Sequence, residues 1–182
     1  LEVARRVTDP ARRELNMVFT FEHVSLDQGS GSKWDLADLP LPVLKGNLAQ
    51  WQYGLAESGW NSLYLDNHDQ PRAVSRFGDD SPEHRVNSAK TLATVLHLHK
   101  GTPYVYQGEE LGMTNSPFTE IGHYLDVESI NHHTLATALG TAEAEVLRSL
   151  AAKSRDHART PVQWDDGPHA GFTTGVPWLP AN

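Results

Sequence analysis

The amino-acid sequence predicts an α/β fold built on a parallel β-sheet. Three short apolar runs alternate with helix-length segments, and the strand starts lie roughly 40 to 45 residues apart. Each run is apolar almost throughout, which is typical of strands buried on both faces of a parallel sheet. The segments after the strands are long and polar, whereas those that return from helix to strand are short. This βα repeat fits a doubly wound sheet or a closed barrel, and periodicity alone does not distinguish the two.

The strands are predicted from runs of β-branched and aromatic residues at Asn16 to Phe21, Ser62 to Leu65 and Pro103 to Tyr106. Helices are predicted at Leu44 to Glu57, Arg85 to Lys100 and Ala142 to Leu150. The first two show amphipathic spacing, through Leu44, Leu48, Trp51 and Leu55, and through Val86, Ala89, Leu92, Ala93 and Leu96. Lys153 to Asn182 is rich in Pro, Gly, Thr and Trp, and we expect mostly loop there.

Composition limits the classes of partner. The formal charge of -8, without any cluster of Lys and Arg, argues against nucleic acid or an anionic membrane as the partner. The absence of cysteine excludes disulfides and thiolate metal sites. The longest apolar runs, such as Thr91 to Leu98, are far shorter than the roughly 20 residues of a membrane-spanning helix. No secretory signal is visible at Leu1 to Arg6, which predicts a cytoplasmic protein.

A polar cluster follows the second predicted strand. Asp66-Asn67-His68-Asp69-Gln70-Pro71-Arg72 places an amide, an imidazole, carboxylates and a guanidinium where a buried strand ends. At the carboxyl end of a barrel strand these groups would face a bound ligand. They could equally cap the next turn and pack against one another. The residues themselves leave both interpretations open.

Three further segments contain side chains that could bind a ligand or take part in catalysis. Glu109 and Glu110 follow the third strand between glycines, and we favour a supporting role in which they bind backbone amides or an arginine. The loop from Lys153 to Asp165 contains two arginines and could clamp polar ligand groups or form an ion-paired strap. Glu22 and His23 end the first strand, but the ten histidines lack metal-ligand spacing, so no metal site is predicted.

These motifs resemble the oligo-1,6-glucosidase and α-glucosidase branch of glycoside hydrolase family 13, the α-amylase family. The resemblance rests on Asn16 to His23, Gly59 to Asp79, Gly101 to Asn115 and Ser154 to Pro180, in the family's order. It implies a partial (β/α)8 TIM barrel that holds about strands six to eight. Residues 1-152 would be the C-terminal part of that barrel. Residues 153-182 would form a loop-rich segment that closes the active site and leads to a missing C-terminal β domain.

The resemblance also implies roles for four residues. Asp69 corresponds to the family's transition-state-stabilising aspartate, and His68 would hydrogen-bond the sugar in the tightest subsite. Arg155 would reach the same subsite, although Arg159 nearby is an alternative match. Glu128 resembles a residue near the leaving-group subsites. His157 stands where the family commonly has Asn.

The family's nucleophile and acid/base lie outside this sequence. Retaining hydrolysis needs two carboxyl groups about 5 to 5.5 Å apart, so the chain alone is expected to be inactive and to need the missing N-terminal barrel half in cis. The complete parent would hydrolyse terminal α-linked glucose from short oligosaccharides or disaccharides, without a cofactor. Three alternatives stay open: a sucrose or maltose isomerase of the isomaltulose- or trehalose-forming type, a non-catalytic glucosidase-like scaffold subunit, and a half-barrel that dimerises.

Overall fold

The computed structural model describes all residues from 1 to 182. The chain divides into two compact units. The first unit comprises 1–65 and 93–104, and the second comprises 66–92 and 105–182. None of the helices has both the length and the apolar character that crossing a bilayer requires.

The first unit contains a parallel three-stranded sheet in the order β1-β2-β3. Its strands are β1 (Val18–Phe19), β2 (Asn61–Leu63) and β3 (Thr102–Pro103). Val18 pairs with Asn61, and Ser62 pairs with Thr102, so the central strand bonds to a neighbour on each side. The predicted strands are therefore confirmed in order and in parallel direction, although each is shorter than predicted and β2 and β3 both begin one residue before the predicted bounds.

The chain contains six α-helices: α1 (Glu2–Val7), α2 (Leu41–Gly54), α3 (Ala73–Phe77), α4 (Arg85–Leu98), α5 (Val127–Ala138) and α6 (Glu143–Lys153). The predicted helices correspond to α2, α4 and α6. The apolar spacing did not predict α1, α3 or α5. Short 3-10 helices lie at Glu22–Ser25, Glu109–Leu111, Ile121–His123, Arg155–Arg159 and Pro168–Gly171.

Burial in α2, α4 and the strands follows the predicted pattern only in part. In α2 the side chains of Leu44 and Trp51 are buried, as their spacing predicts. In α4 only Leu96 is buried, and Val86 is 51% exposed, so the expected apolar stripe is not buried along its length. The expectation of strands buried on both faces holds for β2 but not for β1, where Phe19 is 48% exposed. The difference arises because β2 is the central strand and β1 lies at an edge.

The second unit has its own core, which positions the polar residues described below. Helices α5 and α6 pack against each other. Gly140 turns the chain between them with a φ of 91°, a left-handed conformation that glycine adopts without steric cost. The side chains of Val146 and Leu150 on α6 are almost completely buried, as is Tyr124 just before α5.

Candidate active site

The loop that carries the Asn-His-Asp sequence is closed by Asp66 at its start. The Asp66 side chain is buried, and its Oδ2 accepts a hydrogen bond from the backbone N–H of Ala73 at 3.0 Å. Inside the loop, the Oδ1 of Asn67 accepts the N–H of Asp69 at 2.8 Å, and the Asn67 carbonyl accepts the N–H of Gln70 at 3.1 Å. These local bonds fix the backbone from which Asp69 projects.

Asp69 is held by two arginines and remains partly open to solvent. Its Oδ1 accepts from Arg159 Nη2 at 3.0 Å and lies 3.4 Å from Arg155 Nη1. Its Oδ2 lies 3.1 Å from Nε2 of His68. The side chains of Asp69 and His68 are 44% and 70% exposed. Arg159 also donates from Nε to the backbone carbonyl of His68 at 3.0 Å. The two guanidinium groups thus hold one carboxylate oxygen, and the exposed edge of the carboxylate stays accessible to a ligand.

Asp126 anchors the same two arginines from the other side. Its Oδ1 accepts from Arg155 Nη2 at 2.7 Å, and its Oδ2 pairs with Arg159 Nη1. The Nε of Arg155 lies 3.1 Å from Oε2 of Glu128. Burial alone would raise the pKa of Asp126, but the hydrogen bond from Arg155, the N–H of Glu128 and both guanidinium charges hold it below its usual value. Asp126 is therefore a buried carboxylate that orients two cations.

The backbone around Asp126 is held by the segment that carries the arginines. Asp126 is the N-cap of α5, where its Oδ1 accepts the N–H of Glu128 at 2.8 Å. The buried Asp156 accepts the N–H groups of Leu125 and Asp126 at 3.1 and 3.0 Å. The Ser154 hydroxyl donates to Asp156 at 2.9 Å. The start of α5 and the 3-10 helix from Arg155 to Arg159 are thereby locked together.

Arg72 has a structural role. Its side chain is completely buried, and Nε donates to the carbonyl of His157 at 2.9 Å. Nη1 donates to the carbonyl of Gln107 at 2.7 Å, and Nη2 lies 3.4 Å from that of Ala158. Burial lowers its pKa, and the nearby charge of Asp66 opposes that effect. Of the two interpretations of the polar cluster, the one in which its side chains pack within the protein is correct for this arginine, because every donor faces the protein interior.

His157 is buried as a neutral imidazole. Its Nδ1 accepts the N–H of Ser116 at 3.1 Å, so Nε2 carries the proton and donates to the carbonyl of Leu150 at 3.2 Å. Its ring stacks on Phe118 with centroids 5.4 Å apart. Burial lowers its pKa to about 4. The histidine at this position therefore belongs to the core.

The glutamates after β3 bind backbone amides, as the supporting interpretation predicts. Glu109 Oε2 accepts the N–H of Tyr106 at 3.1 Å, and Glu110 Oε2 accepts the N–H of Gly108 at 2.6 Å. Gly108 adopts a φ of 91°, which permits this tight turn.

The side chains of the chain form no cluster of three or more His, Cys, Asp or Glu that could hold a metal ion. His23, which follows the first strand, is buried and packs edge-on against Tyr64 with ring centroids 4.7 Å apart. It serves the core of the first unit.

Known proteins match this chain over its whole length, both in sequence and in backbone structure. The family model for the α-amylase catalytic domain matches residues 1–182. The chain belongs to the α-amylase family. Its parallel sheet is therefore part of that family's TIM barrel, and the predicted family is confirmed by this match.

Several members of the α-amylase family resemble this chain closely. An oligo-1,6-glucosidase of Halalkalibacterium halodurans is 57% identical over all 182 residues, which cover 32% of that protein. The crystal structure of trehalose-6-phosphate hydrolase from Bacillus licheniformis matches 99% of the chain at 51% identity and a TM-score of 0.93, over 32% of that protein. Isomaltulose synthase from Erwinia rhapontici matches all of the chain at 42% identity and a TM-score of 0.90, over 33% of its length. The chain spans about a third of each relative.

The structure brings together all four residues that the family resemblance implies. Asp69, His68, Arg155 and Glu128 are linked by ion pairs or close contacts. The structure adds two residues to this group. Arg159 is the alternative to Arg155 in the family resemblance, and Asp126 has no role predicted from the sequence. An aspartate immediately before a helix is an N-cap signal, so α5 could have been located from Asp126, but its pairing with two distant arginines has no local sequence signal.

Proposed function

We propose that this chain is part of a retaining α-glucosidase that hydrolyses terminal α-linked glucose from short oligosaccharides. One observation carries the proposal: Asp69 is held at one oxygen by Arg155 and Arg159 while its side chain remains 44% exposed beside His68. A preorganised carboxylate of this kind stabilises positive charge that develops at an anomeric carbon, without reorganisation during the reaction. The oligo-1,6-glucosidase relative, at 57% identity, supports this substrate class.

Within this proposal Asp69 stabilises the transition state, and His68, Arg155 and Glu128 bind the substrate. The chain would contribute about strands six to eight of the barrel through residue 152, and residues 153–182 would close the active site. The nucleophile and acid/base would come from the missing N-terminal half of the same polypeptide. A cytoplasmic location is part of the same proposal.

The test is made on the full-length enzyme that contains this segment. Asp69→Asn should lower kcat for p-nitrophenyl α-glucoside by at least about 10²- to 10³-fold, because the charge that stabilises the transition state is lost while the side-chain shape is kept. Asp80→Asn, an exposed acid in the same unit, is the matched control. A loss of less than about 10-fold at Asp69 would remove it from the catalytic set.

A disaccharide isomerase is the second candidate, because the solved isomaltulose synthase matches the whole chain. The two functions differ in their products. Incubation with sucrose would release glucose and fructose from a hydrolase, whereas an isomerase would yield a rearranged disaccharide. Isomaltose and trehalose 6-phosphate in the same panel would separate the activities named for the other relatives.

A further inference from the structure

Two buried carboxyl oxygens behind the Asn-His-Asp loop have no conventional donor. The Oδ1 of Asp66 and the Oε1 of Glu109 are both shielded from solvent, and neither accepts a bond from an N–H or hydroxyl group. The two carboxyl groups lie within hydrogen-bonding reach of each other. An ionised carboxylate is only an acceptor, so two such groups can bond only when one carries a proton. The pair therefore shares one proton.

The surroundings indicate which residue holds that proton. Burial and the negative charge of Asp66 raise the pKa of Glu109 to about 8. Burial also raises the pKa of Asp66, but the N–H of Ala73 and the positive charge of Arg72 act in the opposite direction. Glu109 also accepts an N–H, that of Tyr106, but the positive charge of Arg72 interacts more strongly with Asp66 than with Glu109. At neutral pH Glu109 is the acid, and Asp66 is the carboxylate.

In this protonation state the buried charges of Arg72 and Asp66 offset each other. Arg72 is the buried cation beside the pair. The carboxylate of Glu110 lies near both acids and raises their pKa values. The Tyr106 hydroxyl, also near Arg72, donates to a backbone carbonyl at 3.0 Å. Loss of the Glu109 proton would add a negative charge without a partner.

We propose that Glu109 is a positioning residue for Asp69. Its carboxyl proton is donated to Asp66, and Asp66 closes the loop on which Asp69 stands by accepting the N–H of Ala73. The second oxygen of Glu109 binds the backbone of Tyr106 and anchors the acid to the segment after β3. The inference rests on the proposed function, since it assigns Asp69 a role in catalysis.

Loss of the proton should affect turnover more than substrate binding. Above about pH 8 the carboxylates of Glu109 and Asp66 repel each other, and the loop loses a fixed support. A small misplacement of a group that acts in the transition state costs on the order of 100-fold in rate. Because ground-state contacts are less sensitive to that placement, kcat should fall with rising pH while KM changes little.

The pH dependence of kcat in the full-length enzyme tests the proposal. Glu109→Gln keeps an N–H donor for Asp66 and an oxygen for Tyr106 but cannot ionise, so the alkaline fall should move to higher pH. The Glu109→Ala variant should lose on the order of 100-fold in kcat, whereas the Glu109→Gln variant should keep most of the wild-type kcat at neutral pH. Glu110→Gln is the matched control: it removes a charge that raises the pKa of Glu109, so the fall should move to lower pH. An alkaline limb that is the same in wild type and Glu109→Gln would overturn the proposal.

Infrared titration tests the shared proton without any activity measurement. The wild-type enzyme should show a carbonyl band of a protonated carboxyl group that disappears around pH 8, and Glu109→Gln should lack it. Absence of the band at neutral pH in the wild type would overturn the proposal. A full-length enzyme without glucosidase activity would overturn the proposed function instead, and the infrared result would still decide whether Glu109 holds the proton.

Discussion

Arg159 lies closer to Asp69 than Arg155 does. Its Nη2 is 3.0 Å from Asp69 Oδ1, whereas Nη1 of Arg155 is 3.4 Å from the same atom. Arg159 also contacts Asp126 and the backbone of His68. Arg159 therefore links the loop that carries Asp69 to the N-terminus of α5. Of the two arginines that the sequence offers as family matches, Arg159 has the shorter distance to Asp69.

Arg159→Lys should reduce activity at least as much as Arg155→Lys. A lysine ammonium is a single point charge and cannot contact Asp69, Asp126 and a carbonyl together. We expect a loss on the order of 10- to 100-fold in kcat of the full-length enzyme. Arg148→Lys, on the exposed face of α6, should leave kcat unchanged.

A double-mutant cycle identifies the cause of that loss. If Arg159 acts through Asp69, the effects of Arg159→Lys and Asp69→Asn on kcat should be strongly non-additive. Additive effects, or a much larger loss for Arg155→Lys than for Arg159→Lys, would contradict the assignment.

Asp126→Asn should destabilise the protein and lower kcat. The asparagine keeps the N-cap oxygen of α5 but loses the charge that both arginines share. The expected loss in the free energy of unfolding is roughly 1 to 3 kcal/mol, towards the lower end because Arg155 and Arg159 are 25% and 35% exposed and so partly screened by solvent.

Urea unfolding of the full-length enzyme measures the change, with Asp80→Asn as the control. In Asp126→Asn, both guanidinium groups would have only Asp69 and Glu128 left as anionic partners, so kcat should fall as well. An unchanged urea midpoint would show that the buried pairing contributes nothing to stability.

His157 should make stability depend on pH between about 6.5 and 4. Its pKa in the folded chain is lowered to about 4, so between these values the unfolded chain binds a proton that the folded chain excludes. Stability should therefore be complete above about pH 6.5 and decline as the pH falls, by roughly 3 kcal/mol. Asp126 acts in a separate, lower window, because its pKa is held below the ordinary value of an aspartate.

Thermal unfolding of His157→Asn across this range checks the assignment. The variant should show a flatter dependence of Tm on pH between 6.5 and 4 than the wild type. His97→Asn removes an exposed histidine of α4 and should leave the slope unchanged. An identical slope in the wild type and His157→Asn would contradict the prediction.

The 182-residue chain produced alone should be poorly soluble or oligomeric and should not turn over p-nitrophenyl α-glucoside. Strands β1 and β3 each lie at an edge of the sheet, and exposed edges pair with other chains. Phe19 and Tyr104 at these edges are 48% and 42% exposed. Light scattering would measure the association state, and a discrete dimer would favour the self-closing half-barrel. A soluble monomer with glucosidase turnover would contradict the prediction.

Much of the secondary structure and part of the site could be predicted because their signals are local. Apolar runs located the three strands, and i, i+4 spacing located α2 and α4. The short α1 and α3 escaped because they span too few residues for a periodic signal, and α5 was missed although Asp126 marks its start. The spacing in α4 also predicted more burial than occurs, since periodicity reports which residues share a face but not what covers that face.

The sequence by itself determined the order of the three strands and of helices α2, α4 and α6, the family, and the presence of Asp69 and His68 after a buried strand. Only the tertiary structure decided which groups hold Asp69, because its arginine partners lie 86 and 90 residues away along the chain. It also decided that Arg72 faces the interior and that Asp66 meets Glu109. Hydrophobic periodicity is set by residues that are neighbours along the chain. Ion pairs and shared protons require short distances between charged side chains and the removal of water around them, and both occur only when remote segments pack together.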